Sequence, residues 1–243
     1  MRWFIFRIRP SFFIAILGFS FGFLPLGAQE YIVKQYLEKA GDCAVIYNGE
    51  LETPYSFVYY DEFPYYKSNE YAQGAIYYKG KYYPNQRIRL DLYKNQLIVL
   101  TPKTNLGKIV NAADVDKFVL GESTFINYFP SETEKPLKQG YYHLIMEGTL
   151  FKVLGKTQKI PVENSGKSTY IFNSKQNYYL LYNGGVYTIR NASILTKLFP
   201  QLKKQLKAYV KDNGLNFKTA PEESLYQIVN YCEEIVVSTI PVQ

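Results

Sequence analysis

The chain has 243 residues, with 28 Lys and Arg against 21 Asp and Glu, 25 Tyr, one His and two Cys. A single His excludes a multi-histidine metal centre, and two Cys far apart in sequence argue against a structural zinc site. The formal charge of +7 is a mild excess rather than the clustered basic footprint of a nucleic-acid binder.

Arg2, Arg7 and Arg9 precede an apolar stretch from Ser11 to Leu26, and Gly27-Ala28 sets small residues before Gln29 and Glu30. Positive, apolar, small is the order of a cleavable secretory signal. Pro25 and Gly27 interrupt the apolar run before it reaches the roughly 20 residues that a spanning helix needs. Cleavage is therefore expected after Ala28, with residues 1–28 as the signal peptide. No Cys follows the run to carry a lipid, and no later segment is long and apolar enough to cross a bilayer. Cleavage takes the formal charge from +7 to +4 and removes the only Trp, Trp3, while every Tyr stays.

The remaining chain fits one domain: a β region over 29–190 and a helical segment over 191–243 packed on it. Tyr31 to Ala40 reads as a short helix with Ile32, Tyr36 and Leu37 on one side, ending at Gly41. From Cys43 onward the period changes to two, and apolar segments recur about every ten residues between turn residues. The clearest strand is Arg87 to Tyr93, where Ile88, Leu90 and Leu92 alternate with polar neighbours, and Lys94-Asn95-Gln96 turns it into Leu97 to Leu100. Four phrases read as hairpin tips whose Gly supplies positive φ: Tyr47-Asn48-Gly49, Tyr78-Lys79-Gly80, Met146-Glu147-Gly148 and Tyr182-Asn183-Gly184-Gly185. Their irregular spacing excludes a solenoid or propeller. The expected fold is mainly β, an antiparallel meander of about ten to twelve strands curling into an open barrel or sandwich. Pro200 then opens a helix with Leu202, Leu206, Tyr209 and Val210 on one face and Lys203, Lys204, Lys207 and Lys211 on the other, stopping at Asn213-Gly214. Thr219 to Glu222 has capping-box spacing ahead of Leu225, Ile228, Val229 and Cys232, so a helical pair closes the chain.

Cys43 and Cys232 stand near the two ends of the domain in a compartment where disulfides persist. A bridge would contribute at most about 4 to 5 kcal/mol in the chain-entropy model, whereas Cys232 also suits an apolar helix position. Two independently buried thiols look the same in sequence.

Little in the chain carries chemistry on its own. His143, between Tyr142 and Leu144, reads as a partly buried strand residue; general-base work would need a carboxylate and a nucleophile beside it. Ser165-Gly166-Lys167-Ser168 resembles the tail of a phosphate-binding loop, but Pro161 stands where the first Gly belongs. Asp61, Glu62, Asp91, Asp114 and Asp116 read as turn and strand acids unless two converge in a cleft. No cofactor or metal is implied. The lysine face of the Pro200 helix reads as solvated.

The unusual feature is six Tyr-Tyr doublets, four of them within Tyr59 to Tyr83: Tyr59-Tyr60, Tyr65-Tyr66, Tyr77-Tyr78 and Tyr82-Tyr83. Adjacent strand residues point to opposite faces, so each doublet in a strand sends one ring inward and one outward. The outward rings are either cross-strand pairs, worth about 0.2 to 1 kcal/mol each, or a stacking surface for a sugar or protein.

The run Gly74-Ala75-Ile76-Tyr77-Tyr78-Lys79-Gly80-Lys81-Tyr82-Tyr83, the stretch Arg89 to Val99, and the ending Leu198-Phe199-Pro200 with Tyr226 to Tyr231 resemble a family of uncharacterised exported proteins of Bacteroidota. The resemblance implies a Gram-negative envelope setting, periplasmic or at the outer membrane, and supplies no catalytic motif. The expectation is a non-catalytic binding module for an envelope protein or glycan. A carrier of an apolar ligand inside the curved sheet is the alternative, and a glycan hydrolase comes third.

Overall fold

The computed structural model describes residues 26–132, 134–164 and 169–239; the expected signal segment up to residue 25 and the Gly166-Lys167-Ser168 run lie outside them. Helix α1 (Leu26–Ala40) stops at Gly41, whose φ of +52° ends the turn. It packs through Val33 and Leu37, an i, i+4 pair. Ile32 and Tyr36, expected on the same side, are largely exposed instead.

The period-two reading fails between 41 and 71. That stretch holds two short 3-10 turns, Gly41–Cys43 and Val45–Tyr47, and then only isolated bridges at Leu51, Tyr59 and Tyr65. Ile46 and Tyr47 are consecutive and both buried, which a half-buried strand cannot arrange. Asn48-Gly49 is not a hairpin tip: a Cβ on Gly49 would lie 1.7 Å from the Ile109 carbonyl oxygen, so this Gly permits close backbone approach.

Ten strands follow. They are β1 (Ala72–Tyr78), β2 (Lys81–Asp91), β3 (Gln96–Leu100), β4 (Gly107–Ile109), β5 (Val115–Leu120), β6 (Ser123–Tyr128), β7 (Gly140–Glu147), β8 (Phe151–Asn164), β9 (Thr169–Tyr182) and β10 (Gly185–Thr188). They form one open antiparallel sheet in the order β10-β9-β8-β7-β6-β5-β1-β2-β3-β4. It is a single layer, and it departs from a simple meander at one place, where β5 pairs with β1 rather than β4. The short link Val110–Asp114 makes that jump, which only a curled sheet permits. The curl is visible elsewhere too: Asn127 Nδ2 donates to Ala112 O at 2.6 Å, and Lys156 Nζ on β8 donates to Asn95 Oδ1 in the β2–β3 turn at 2.7 Å.

The concave side is filled by Ile76, Tyr83, Ile88, Leu90, Leu97, Val99, Phe118 and Phe125, with α1 against it. A second core continues from it under the helical end. There α2 (Ser193–Leu198), α3 (Lys203–Asp212) and α4 (Pro221–Thr239) cover β7 to β10, burying Leu206, Leu225, Ile228, Val229 and Cys232 against Phe151, Val153 and Leu180. Pro200 opens a 3-10 turn that leads into α3, and Gly214 ends it with φ +60°. Helix α2, short and lacking its own periodicity, escaped the sequence reading. The lysines of α3 are exposed, as its periodicity requires. Tyr178/Tyr179 and Leu180/Leu181 split between this core and a smaller one on the opposite face, as strand geometry dictates. Cys43 is exposed beside the first core and Cys232 is buried in the second; both are free thiols, so no bridge joins the ends. Among the described residues no helix is long and apolar enough to cross a membrane.

Candidate binding site

Arg89 alternates with buried Ile88 and Leu90 on β2 and therefore leaves the concave core. Its guanidinium is sandwiched between two rings, 3.9 Å from the centroid of Tyr65 and 4.4 Å from that of Tyr71. One terminal nitrogen pairs with Glu52 Oε1 at 2.6 Å and the other donates to the Asn69 carbonyl at 2.7 Å. Tyr65 and Tyr71 close the cluster by donating their hydroxyls to Glu52 at 2.9 and 2.8 Å, so both carboxylate oxygens are engaged. The side chains of Arg89 and Glu52 are only 18% and 13% exposed.

Local backbone pairing holds these residues in place. Glu52 N donates to Gly107 O at 2.9 Å, next to the Leu51–Lys108 bridge. A side chain at position 107 would push the cluster apart, since a Cβ there would sit 2.5 Å from both Glu52 Oε2 and the Tyr71 hydroxyl. Tyr65 is fixed because Tyr66 N donates to Leu90 O and Leu92 N to Pro64 O, each at 2.9 Å. Asp91, 1% exposed, accepts from the Tyr55 hydroxyl and from the amides of Tyr93 at 2.9 Å and Lys94 at 2.7 Å. Tyr55 then gathers Phe57, Tyr59, Tyr93 and Phe172 at centroid distances of 5.3 to 5.9 Å, with Lys94 Nζ 4.3 Å above its ring.

The result is an open cleft of about 570 Å³ walled by Tyr55, Phe57, Tyr59, Tyr65 and Tyr71, with Glu52, Asn69, Glu70 and Arg89 as its polar groups. Burial, reinforced by their carboxylate partners, holds the phenols of Tyr55 and Tyr71 above the ordinary tyrosine value. The Tyr65 phenol is raised by burial too, against the pull of Arg89. Burial likewise raises Asp91, although three donors face it. For Arg89 burial opposes the charge, but Glu52 and the two tyrosines keep the guanidinium ionised. Carboxylates so fully engaged hold the shape of the cleft.

Of the eight tyrosines singled out in the sequence, Tyr59 and Tyr65 line this cleft. Tyr60 faces away from it and its hydroxyl accepts from Asn164 at 3.2 Å. Tyr66 packs on Phe125 at 4.9 Å and opens onto a neighbouring hollow shared with Glu62, Lys159 and Tyr178. Tyr77 and Tyr82 form a cross-strand pair at 4.8 Å under Lys117. Tyr78 and Tyr83 are core residues, and Tyr78 donates to Asp114 at 3.1 Å. The four doublets thus do not form one platform, because β1 and β2 send one ring of each pair into the core. Among the acids, Glu62 pairs with Lys159 at 2.7 Å. His143 Nδ1 on β7 lies 3.1 Å from Glu222 Oε2 at the start of α4, but without the geometry of a hydrogen bond. Among the described residues no three His, Cys, Asp or Glu side chains are grouped to hold a metal ion.

Glu52, Tyr55, Phe57, Tyr71 and Arg89 were missed in the sequence. The spacing Tyr55-x-Phe57-x-Tyr59 was the available signal, since alternate residues of an extended segment share a face. Comparison with protein-family models, with curated proteins and with solved structures finds no match.

Proposed function

We propose that this chain is an exported, non-catalytic binding protein of the cell envelope, and that the cleft beside Arg89 is where its partner docks. The observation that carries the proposal is the aromatic wall whose charged groups are bound to one another, a rigid and amphipathic surface of the kind binding sites use. The concave interior is packed with side chains such as Tyr83 and Phe118, which favours binding at the surface over carriage of an apolar ligand inside. Engagement of Glu52 and Asp91 by tyrosine hydroxyls and backbone amides favours binding over hydrolysis as well. Export itself rests on the signal-like order of residues 1–28.

The test is capture of the exported chain with its partners from its host's envelope after mild crosslinking. A partner retained by the native chain and lost with Tyr59→Ala, at an unchanged thermal midpoint, supports the cleft as the contact. Equal retention by the variant sinks it.

A further inference from the structure

We infer that the Arg89 cleft takes a neutral carbohydrate chain, an inference that rests on the binding reading above. Each charged ligand class meets an obstacle already built into the site. An anion would seek the guanidinium, but the charge of Arg89 is already met by Glu52 at 2.6 Å, each terminal nitrogen holds an acceptor, and the remaining Nε is buried out of reach. Glu70, with buried Asp91 behind Tyr55, adds negative charge that repels anions further. A cation would seek ring faces, and here the protein's own cations occupy them: Arg89 lies over Tyr65 and Tyr71, and Lys94 over Tyr55.

What remains suits a polyhydroxyl chain. Phe57 and Tyr59 present aromatic surface to the apolar C–H faces of a sugar ring. Asn69 and Glu70, exposed among the lining residues, meet hydroxyls that both donate and accept; Asn69 can do either and Glu70 accepts. The volume of about 570 Å³ falls within the range of small-ligand sites, and its openness lets a longer chain run past. Pinned loops hold the walls in place before binding, which matters for a ligand that gives little energy per contact.

The experiment is calorimetric titration of the exported chain with oligomers of glucose, mannose and N-acetylglucosamine, alongside oligogalacturonate and a lysine-rich peptide. At least one neutral oligomer binds, with an affinity unchanged by added salt, as expected when no ion pair forms. Tyr59→Ala and the volume-keeping Tyr59→Leu each lower that affinity about tenfold, the size of one lost ring contact. The pair Tyr77→Ser and Tyr82→Ser, outside the cleft, leaves it unchanged. If only the uronate or the peptide binds and Tyr59→Leu abolishes it, the ligand class is wrong and the cleft stands. Neutral binding that ignores Tyr59 overturns the cleft itself, and failure of every probe together with an empty envelope capture overturns both.

Discussion

Arg89 shows how much one side chain can organise. It joins a strand, two loop tyrosines and a loop carboxylate, and its Nε is buried without an acceptor, so ring contacts rather than complete hydrogen bonding hold it. Replacing one member of a largely buried ion pair leaves the other desolvated and alone. Arg89→Met is therefore expected to cost about 2 to 3 kcal/mol, somewhat under the loss for a fully buried pair, as read from urea unfolding. A loss of only about 0.5 kcal/mol, the size of an exposed pair, would show that solvent screens the cluster. That Arg89 leaves the core was legible from its alternation with Ile88 and Leu90. Its partners were not, because Glu52 and Tyr65 reach it through loop pairings that no local pattern announces.

At the scale of elements, glycines separate two kinds of turn. Gly80 and Gly184, at the β1–β2 and β9–β10 tips, have φ of +67° and +71° with open space around them, so there the conformation demands Gly. Gly148, read from sequence in the same way, does sit at the β7–β8 turn but for another reason. A Cβ there would lie 1.8 Å from Glu233 Oε2 of α4, and Glu233 accepts from the Leu150 amide in the same turn. Gly148→Ala must displace that carboxylate and strand a buried amide. The expected cost is about 2 kcal/mol, the middle of the range for an unsatisfied group. Gly80→Ala, which meets no neighbour, should cost about 1 kcal/mol. Thermal unfolding of the two variants checks the order, and equal losses would refute the clamp between α4 and the sheet.

For the whole molecule the abundance of tyrosine becomes a pH dependence. Burial pushes the phenols of Tyr47, Tyr78 and Tyr178 up to about 12 from an ordinary 10.0, and it also raises those of Tyr128 and Tyr141. A folded value above the unfolded one means that the stability these rings contribute is complete below about pH 10 and is lost as pH climbs toward 12. Lys156 works in the opposite sense. Burial lowers its amine from 10.5 to about 8, so folding is penalised below 8 and the penalty lifts as pH rises toward 10.5. Stability should therefore increase modestly from about pH 8, then collapse above about 10 with phenolate absorbance appearing together with unfolding. Lys156→Met should flatten the rise and leave the collapse in place. Phenolate appearing smoothly while the fold persists would mean that the rings are wetter than their packing implies.

The mainly β class, the antiparallel strands with their β1–β2, β2–β3, β7–β8 and β9–β10 turns, and a helical end built on Pro200, Leu206 and Ile228 were set by sequence alone, since period and turn chemistry act over a few residues. Tertiary structure decided the rest. It chose one curled sheet over a sandwich, because the short Val110–Asp114 link reaches β5 only if β4 curves back toward it. It turned residues 44–71 from expected strands into loops, because their backbone groups pair with β2, β4 and β9 rather than with each other. It also sorted the tyrosines: Tyr78 and Tyr83 became core and Tyr59 and Tyr65 became cleft, since which face of a strand is buried depends on what the rest of the chain lays against it.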